Sequence, residues 1–281
     1  MTFIYSIMDT LLPFEWLSPV FMKNAFLAIL VACPLFGILG TSVVSNRMSF
    51  FSDAIGHSAL TGIALGVVLG IRDVTISMIV FSLLLGFAII SVKIKGKSSS
   101  DTIIGVFSST AVALGIVLLS AGGNFSKYQK YLVGDILSIQ PGEILLLLCA
   151  AAVLLVVWTF FYNKMLLVSM HSAFAKSRGI HTFLIEQIFA LLTAIIVTVS
   201  IRWTGLLVIN SLLVLPAAAS RLVVRSTRRY TLISVIISLV SGILGLALSY
   251  QFNTASGASI VLVNAVLFMG CLAFTIVRRQ N

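Results

Sequence analysis

An acidic side chain and an imidazole stand four residues apart in an otherwise apolar stretch at residues 50–70, FFSDAIGHSALTGIALGVVLG. On a helix, residues i and i+4 share a face, so Asp53 and His57 are predicted to lie side by side, with Thr61 continuing that face. A carboxylate and an imidazole together suit Zn²⁺, Mn²⁺ or Fe²⁺. Ionisable groups in a membrane-buried segment are costly and mark functional sites by default. The pair is therefore the leading candidate site, with a buried pair that only stabilises the fold as the alternative.

A stripe of small residues runs beside this pair on the same predicted helix. Its members recur at every fourth position: Ala54, Ser58, Gly62, Gly66 and Gly70. This spacing lets a second helix approach backbone to backbone. In residues 205–221, GLLVINSLLVLPAAASR, Pro216 bends a helix, and the small residues after it also permit close packing. We predict helix-packing roles for Ser58, Gly62, Gly66 and Pro216.

The composition indicates a membrane protein. The chain has 281 residues, of which 59% are hydrophobic and 9% charged, whereas a soluble domain carries roughly 25% charged residues. Long apolar runs alternate with short polar segments, and the runs are too continuous for the strands of a membrane barrel. The predicted fold is all-α, a polytopic helical membrane protein with about eight or nine transmembrane helices.

Nine apolar runs are long enough to be spans of about 20 residues. They cover residues 22–45, 53–71, 74–92, 102–121, 142–162, 182–201, 203–220, 231–250 and 257–277. Only Ile201, Arg202 and Trp203 separate the sixth run from the seventh, so one of these two is expected to be re-entrant or broken. Residues 1–20 are interpreted as an amphipathic lead-in at the membrane surface, with disorder as the alternative.

The distribution of basic residues orients the chain. With the C-terminus inside, 13 of the 18 Lys and Arg residues fall in inner segments and 5 in outer segments. This asymmetry is what the positive-inside rule requires, and nine spans then place the N-terminus outside. The same rule accounts for the net charge of +10 without a nucleic-acid partner. Three cysteines in apolar runs, without paired spacing, predict neither disulfides nor a zinc finger.

The inner segment 163–181, NKMLLVSMHSAFAKSRGIH, differs from the other loops because it contains a short helical pattern that ends at Gly179. Phe174 and Ala175 lie beside Lys176 and Arg178, an arrangement that suits docking onto a cytosolic partner. On periodicity alone, an interfacial helix that lies on lipid headgroups is an equally good interpretation of this segment.

Several stretches in this order resemble the permease subunit of the ABC-type importers of zinc, manganese or iron. The resemblance covers nearly the whole chain. It rests on SDAIGHSALTGIALG (52–66), YLVGDIL (131–137), FAKSRGI (174–180), GLLVINSLLVLPAAASRL (205–222) and SGASIVLV (256–263). Two positions depart from the family pattern: His171 stands where an acidic residue is usual, and Ala255 where a proline is expected.

The resemblance implies a single transmembrane permease domain over residues 1–281 in the bacterial cytoplasmic membrane. It implies an ATP-driven importer that moves Zn²⁺ or Mn²⁺, less readily iron, by alternating access, with no permanently bound cofactor. The implied partners are a second copy of the permease in a homodimer, two cytosolic ATPase subunits, an extracytoplasmic metal-binding protein and membrane lipid, but no nucleic acid.

The resemblance also assigns residues. Asp53 and His57 match the Asp-x-x-x-His pair on the family's translocation path. The segment from Phe174 to Gly179, with Ala175, Lys176 and Arg178, resembles the coupling helix that docks on the ATPase. The chain contains no G-x-x-x-x-G-K-[ST] motif, so ATP hydrolysis is expected from another subunit and the chain itself is not expected to be an enzyme.

Three other functions remain as alternatives at this stage: a metal-ion channel, a secondary transporter and, less favoured, an intramembrane metalloenzyme. A metalloenzyme needs a third fixed ligand and a catalytic base, and the chain has only one His inside a predicted span. A secondary transporter often shows discontinuous helices in matched halves, and no internal repeat is visible in the sequence.

Overall fold

The structure is a computed structural model that describes residues 2–11, 14–71, 73–96, 98–121, 134–224 and 226–280. These residues form ten α-helices and no strand. The helices are α1 (Thr2–Leu11), α2 (Val20–Ser45), α3 (Phe51–Val68), α4 (Val74–Lys95), α5 (Ser100–Ala121), α6 (Pro141–Met170), α7 (Ser172–Ser177), α8 (Thr182–Val223), α9 (Thr227–Phe252) and α10 (Ser256–Gln280). Short 3₁₀ turns cover Glu15–Leu17 and Ile136–Ser138.

Eight helices within the described ranges, all except α1 and α7, are long and apolar enough to cross a membrane. The predicted all-α polytopic membrane fold is therefore confirmed. The sixth of them, α8, has 42 residues, which corresponds to about 63 Å of helix, twice the bilayer core. Its backbone leaves helical geometry at Gly205, with φ 74° and ψ 163°. The predicted sixth and seventh spans are thus the two segments of α8 on either side of this glycine.

The chain divides into two compact units. The first unit contains Met1–Thr41, Val133–Ala151 and Arg202–Asn281, and the second contains Ser42–Leu132 and Ala152–Ile201. Asp53, His57 and the segment from Phe174 to Gly179 all belong to the second unit. Pro216 belongs to the first.

In the second unit, α3 packs closely against α4 because two of its residues lack side chains. A Cβ atom built on Gly62 would lie 2.7 Å from Cα of Met78, and one built on Gly66 would lie 2.6 Å from Oγ of Ser77. Real Cβ atoms cannot approach so closely, so both positions require glycine. The close approach of α4 fixes which face of α3 remains for Asp53 and His57.

A different face of α3 is covered by α5. The Thr61 hydroxyl donates a hydrogen bond to the carbonyl of Ala111. A Cβ atom on Gly115 would lie 3.0 Å from the backbone nitrogen of Thr61. The helix that carries Asp53 and His57 is thus held on two sides, and 72% of its residues are buried.

The first unit is also built on close contacts between small residues. A Cβ atom on Gly245 in α9 would lie 2.5 Å from Cα of Ile260 in α10. The Ser234 hydroxyl donates to the carbonyl of Gly37 at 2.9 Å and joins α9 to α2. Gly134, at φ +68°, packs against the backbone of Gly205, where α8 leaves helical geometry. Only a residue without a side chain fits at this contact.

The N-terminal residues are tied to α2 and to residues 134–140. The Lys23 ammonium, which is buried, lies 2.6 Å from the carboxylate of Asp9 in α1. The Tyr5 hydroxyl donates to Oδ1 of Asn24 at 2.5 Å, and Nδ2 of Asn24 donates to the carbonyl of Ile139 at 3.4 Å. Residues 1–20 therefore include an ordered helix, α1, that is anchored by polar contacts.

Candidate functional site

Asp53 and His57 lie at the start of α3, one helical turn apart. Asp53 stands in the first turn, where the partial positive charge of the helix N-terminus favours a carboxylate. Nε2 of His57 lies 3.5 Å from Oδ1 of Asp53. This separation is longer than a normal N–H···O hydrogen bond, so the two side chains are adjacent without being tightly paired.

The two side chains open onto a face of α3 that is otherwise closed. From Phe51 to Ala64, every residue except Asp53 and His57 is buried, and these two side chains are 40% and 32% exposed. Nδ1 of His57 is buried and has no hydrogen-bond partner among the described residues. A buried ring nitrogen without a partner is destabilising by about 1–3 kcal/mol. Because Nδ1 is enclosed, Nε2, the ring nitrogen beside Asp53, is the one left to bind a ligand.

The geometry of the pair fits a divalent cation. Two ligands of one tetrahedral zinc ion, each bound at about 2.0–2.1 Å, lie roughly 3.4 Å apart. The 3.5 Å between Nε2 of His57 and Oδ1 of Asp53 is close to this value. Among the residues that the structure describes, no group of three His, Cys, Asp or Glu side chains comes together. At this place the described part of one chain would offer a divalent cation two protein ligands, fewer than a closed site needs.

Thr61 does not extend the polar face as its spacing predicted. Thr61 is 1% exposed, and its hydroxyl donates a hydrogen bond to the carbonyl of Ala111 in α5. The i, i+4, i+8 spacing is correct on the helix, but α5 crosses α3 at Thr61 and covers it. The accessible polar stripe consequently ends at His57.

Ser58, Gly62 and Gly66 lie on the face of α3 that meets α4. The Ser58 hydroxyl donates to the carbonyl of Ile55 at 2.6 Å and lies 3.3 Å from the hydroxyl of Ser82 in α4. A serine at this position satisfies its hydroxyl without a large side chain, so it keeps the two helices close.

Pro216 lies in the second segment of α8 and is buried. A Cβ atom on Gly40 of α2 would overlap the carbonyl of Leu213 and would lie 3.4 Å from Cβ of Ala217. The small residues around Pro216 thus lie where α2 and this segment of α8 come into backbone contact.

The inner segment 163–181 contains the end of one helix and the whole of a second, short one. Helix α6 extends through Met170, so the connection to α8 begins at His171. Helix α7 then ends in a Schellman motif: the amide of Gly179 donates to the carbonyl of Lys176 at 3.0 Å, and the amide of Ile180 donates to that of Ala175 at 3.1 Å. Gly179, at φ +74°, supplies the left-handed residue that this motif requires.

Helix α7 presents one apolar side chain among charged ones. Ala175 is fully buried, whereas Phe174 is 47% exposed. The guanidinium of Arg178 lies 4.8 Å from the centre of the Phe174 ring, a cation–π arrangement that holds both side chains. Lys176 and Gly179 line an open groove beside the helix. The result is an exposed aromatic ring on a rigid, positively charged turn.

An ion pair that only the folded chain brings together lies at the base of this region. Nζ of Lys93, in the last turn of α4, is 2.8 Å from Oε2 of Glu186 in α8, and the two side chains are 15% and 17% exposed. The next residue, Gln187, donates from Nε2 to the carbonyl of Phe87 at 3.1 Å. The sequence could point to Glu186, because it is an acidic residue inside a predicted span. It could not point to the partner, Lys93, which is 93 residues away in the chain.

A sequence profile of the ABC 3 transport family matches residues 18–275. The chain belongs to the ABC 3 transport family. It is accordingly a transporter subunit and not an enzyme, and a multi-pass protein of the bacterial cytoplasmic membrane. The resemblance stated from the sequence motifs is confirmed.

Relatives of this chain match it over nearly its full length. It is 31% identical over 257 residues to the high-affinity zinc uptake system membrane protein ZnuB of Haemophilus influenzae, covering 91% of this chain and 96% of that protein. It is 30% identical over 261 residues to the manganese import system permease protein ScaB of Streptococcus gordonii, covering 93% of both. The solved structure of PsaBC from Streptococcus pneumoniae in complex with Fab superposes with a TM-score of 0.78 at 28% identity, covering 96% of this chain and 95% of the other.

Proposed function

We propose that this chain is the permease subunit of an ATP-driven importer of Zn²⁺ or Mn²⁺, and that the ion passes Asp53 and His57. Membership of the ABC 3 transport family supports the transporter class. The zinc uptake membrane protein and the manganese import permease that match it over more than nine-tenths of its length support the ion class.

The observation that carries the assignment of the site is the local geometry of α3. A carboxylate oxygen and an imidazole nitrogen lie 3.5 Å apart on a stretch whose other side chains are buried. If His57 served only to stabilise α3, both of its ring nitrogens would be expected to have hydrogen-bond partners. Nδ1 of His57 has none in the described part of the chain. This arrangement supports the proposal that the pair is half of a ligand set.

A homodimer would complete this ligand set. Two copies meeting on a shared axis would supply two Asp53 carboxylates and two His57 imidazoles, which suits tetrahedral Zn²⁺, or Mn²⁺ with added water or carbonyl oxygens. Two carboxylates also balance the +2 charge of the ion, which lowers the free energy of holding it in a low-dielectric path. Imidazole favours zinc and carboxylate tolerates manganese, so this donor set accepts either ion.

Partner subunits would supply the energy and the ion. Two cytosolic ATPase subunits are proposed to dock at α7 through Phe174 and the exposed charges of Lys176 and Arg178, around the turn closed by Gly179. The buried Ala175 would anchor α7 against the rest of the permease. An extracytoplasmic metal-binding protein is proposed to deliver the ion on the opposite side, and Zn²⁺ or Mn²⁺ is proposed as the transported substrate and not as a permanently bound cofactor.

The test is isotope uptake of ⁶⁵Zn²⁺ and ⁵⁴Mn²⁺ by vesicles that contain the complete transporter. Asp53→Asn and His57→Ala are each expected to abolish uptake while the complex assembles and hydrolyses ATP. Asp101→Asn is the matched control, because Asp101 is also an aspartate in the first turn of a span but is an exposed residue outside the proposed site. Normal uptake by both site variants would place the path on another helix, whereas no uptake of either ion by the unmodified transporter would refute the ion class.

A further inference from the structure

The basic residues of the last third of the chain have an unusual distribution. No Asp or Glu follows Glu186 in the sequence, and every basic residue after that point is an arginine rather than a lysine. These arginines are Arg202, Arg221, Arg225, Arg228, Arg229, Arg278 and Arg279. Six of the seven fall within 221–229 or 278–279. Residues 187–281 therefore concentrate positive charge at two places without acidic residues between them.

The fold brings the end of α8, at Arg221, close to the end of α10, at Arg278, in the first unit. A groove between the C-terminal ends of α8 and α10 is lined by Arg221 and the three residues after it on one side, and by Phe274, Thr275 and Arg278 on the other. The Thr275 hydroxyl donates to the carbonyl of Cys271 at 2.8 Å and also lies 3.4 Å from the carbonyl of Leu222, where the two helix ends meet. We call this feature the arginine groove.

Two more arginines lie at the start of α9, beside the end of α8. The Ser220 hydroxyl donates to the carbonyl of Tyr230 at 2.6 Å and fixes the first turn of α9 against α8. That turn carries Arg228 and Arg229, both exposed. Cations at a helix N-terminus oppose the helix dipole, so a bound anion in this neighbourhood relieves an unfavourable arrangement of charge.

The end of α10, which forms one side of the arginine groove, exposes apolar side chains. Along the last turns of α10, Phe274, Ile276 and Val277 are 56%, 50% and 59% exposed. Of the most apolar 18-residue stretch of α10, only 11% is buried within the chain. Anionic headgroup ligands with hydrocarbon tails match this combination of a basic rim and an exposed apolar wall.

We propose that the arginine groove binds the phosphate-bearing headgroup of an anionic phospholipid, with the acyl chains lying along α10. The groove lies at the end of predicted spans where the positive-inside rule places the cytoplasmic leaflet. Basic pockets between transmembrane helices on that side recognise anionic lipid headgroups. Arginine suits this role better than lysine because its planar guanidinium binds phosphate oxygens in a bidentate manner. The proposal concerns lipid binding and does not depend on which ion the chain transports.

The test measures retained lipid by native mass spectrometry of the purified full chain. The probes are phosphatidylglycerol and phosphatidylcholine with identical acyl chains. The unmodified chain is expected to retain phosphatidylglycerol preferentially. Arg221→Gln/Arg278→Gln is expected to weaken this binding roughly 25-fold, about fivefold for each arginine. Arg228→Gln/Arg229→Gln, at exposed positions outside the groove walls, is a second variant that should weaken it in the same direction.

The matched control is Arg47→Gln/Lys95→Gln, which removes two exposed charges from other predicted inner segments and should leave lipid retention unchanged. Equal retention by the groove variants and the unmodified chain would overturn the proposal, as would an equal loss in the control. Displacement of the lipid by inorganic phosphate at the same concentration would show a site for free phosphate instead. Loss of the lipid on addition of the ATPase subunits would show that a protein covers the groove.

Discussion

Gly62 provides the most direct test of how α3 is positioned. A Cβ atom at this residue would lie 2.7 Å from Cα of Met78 and 3.0 Å from the carbonyl oxygen of Ser77. Both are backbone atoms of α4, so no side-chain rotation can relieve the contact. Since carbon atoms pack best at about 3.5–4.0 Å, Gly62→Ala forces α3 and α4 apart by roughly 1 Å.

The magnitude follows from a comparison with Gly105. Nothing lies within 4 Å of a Cβ atom built on Gly105, which is also in the interior of a span. Both substitutions to alanine gain about 1 kcal/mol of helix propensity, so this gain cancels in the difference. The remaining difference is the cost of overpacking at Gly62, about 1–3 kcal/mol. Gly62→Leu adds three more carbon atoms at the same place and is expected to exceed this range.

The assays are thermal unfolding of the purified permease and metal uptake by the reconstituted transporter. Gly62→Ala should unfold at a lower temperature than Gly105→Ala. Gly62→Leu should reach the membrane at near-normal levels but lose uptake, because α3 carries Asp53 and His57 with it when it moves. A Gly62→Leu variant with full uptake would refute the reasoning, since this face of α3 would then meet lipid rather than α4.

Two further predictions concern the second unit. Lys93→Met should destabilise the permease by roughly 3 kcal/mol, because it leaves the largely buried Glu186 carboxylate without its cation. The double variant Lys93→Met/Glu186→Leu should be less destabilised than Lys93→Met. Additive losses of stability in thermal unfolding would contradict a coupled pair. Phe174→Asp should leave the fold intact, since the side chain is 47% exposed and the new carboxylate can pair with Arg178. Phe174→Asp should nevertheless prevent the ATPase subunits from co-purifying with the permease, whereas Phe174→Leu should retain them. A Phe174→Asp complex that survives purification with full transport would show that α7 is not the docking surface.

Local pattern was sufficient to predict most of the elements. The eight long helices follow from apolar runs of the length that a bilayer requires, and the end of α7 follows from a glycine after a short helical pattern. Boundaries were less predictable: α6 continues to Met170 because residues 163–170 are still compatible with a helix, although the polar Asn163 and Lys164 suggested its end.

The candidate site was predictable only in part. The four-residue spacing of Asp53 and His57 places them on one face of any helix, because the helical period is a local property. Whether a residue on that face stays accessible is not local. Thr61 shares the face, yet α5 covers it, and the sequence near Thr61 contains no signal for the carbonyl of Ala111.

What the sequence by itself determined, therefore, is the class of the protein, its helical segments and the pair of polar side chains on one of them, since hydropathy and periodicity act within a single segment. The tertiary structure decided which faces meet. It joined Lys93 to Glu186, set Gly134 against the break at Gly205, and left Asp53 and His57 as the accessible side chains of a buried stretch. These contacts depend on the relative placement of segments distant in the chain, which arises from the packing of whole helices.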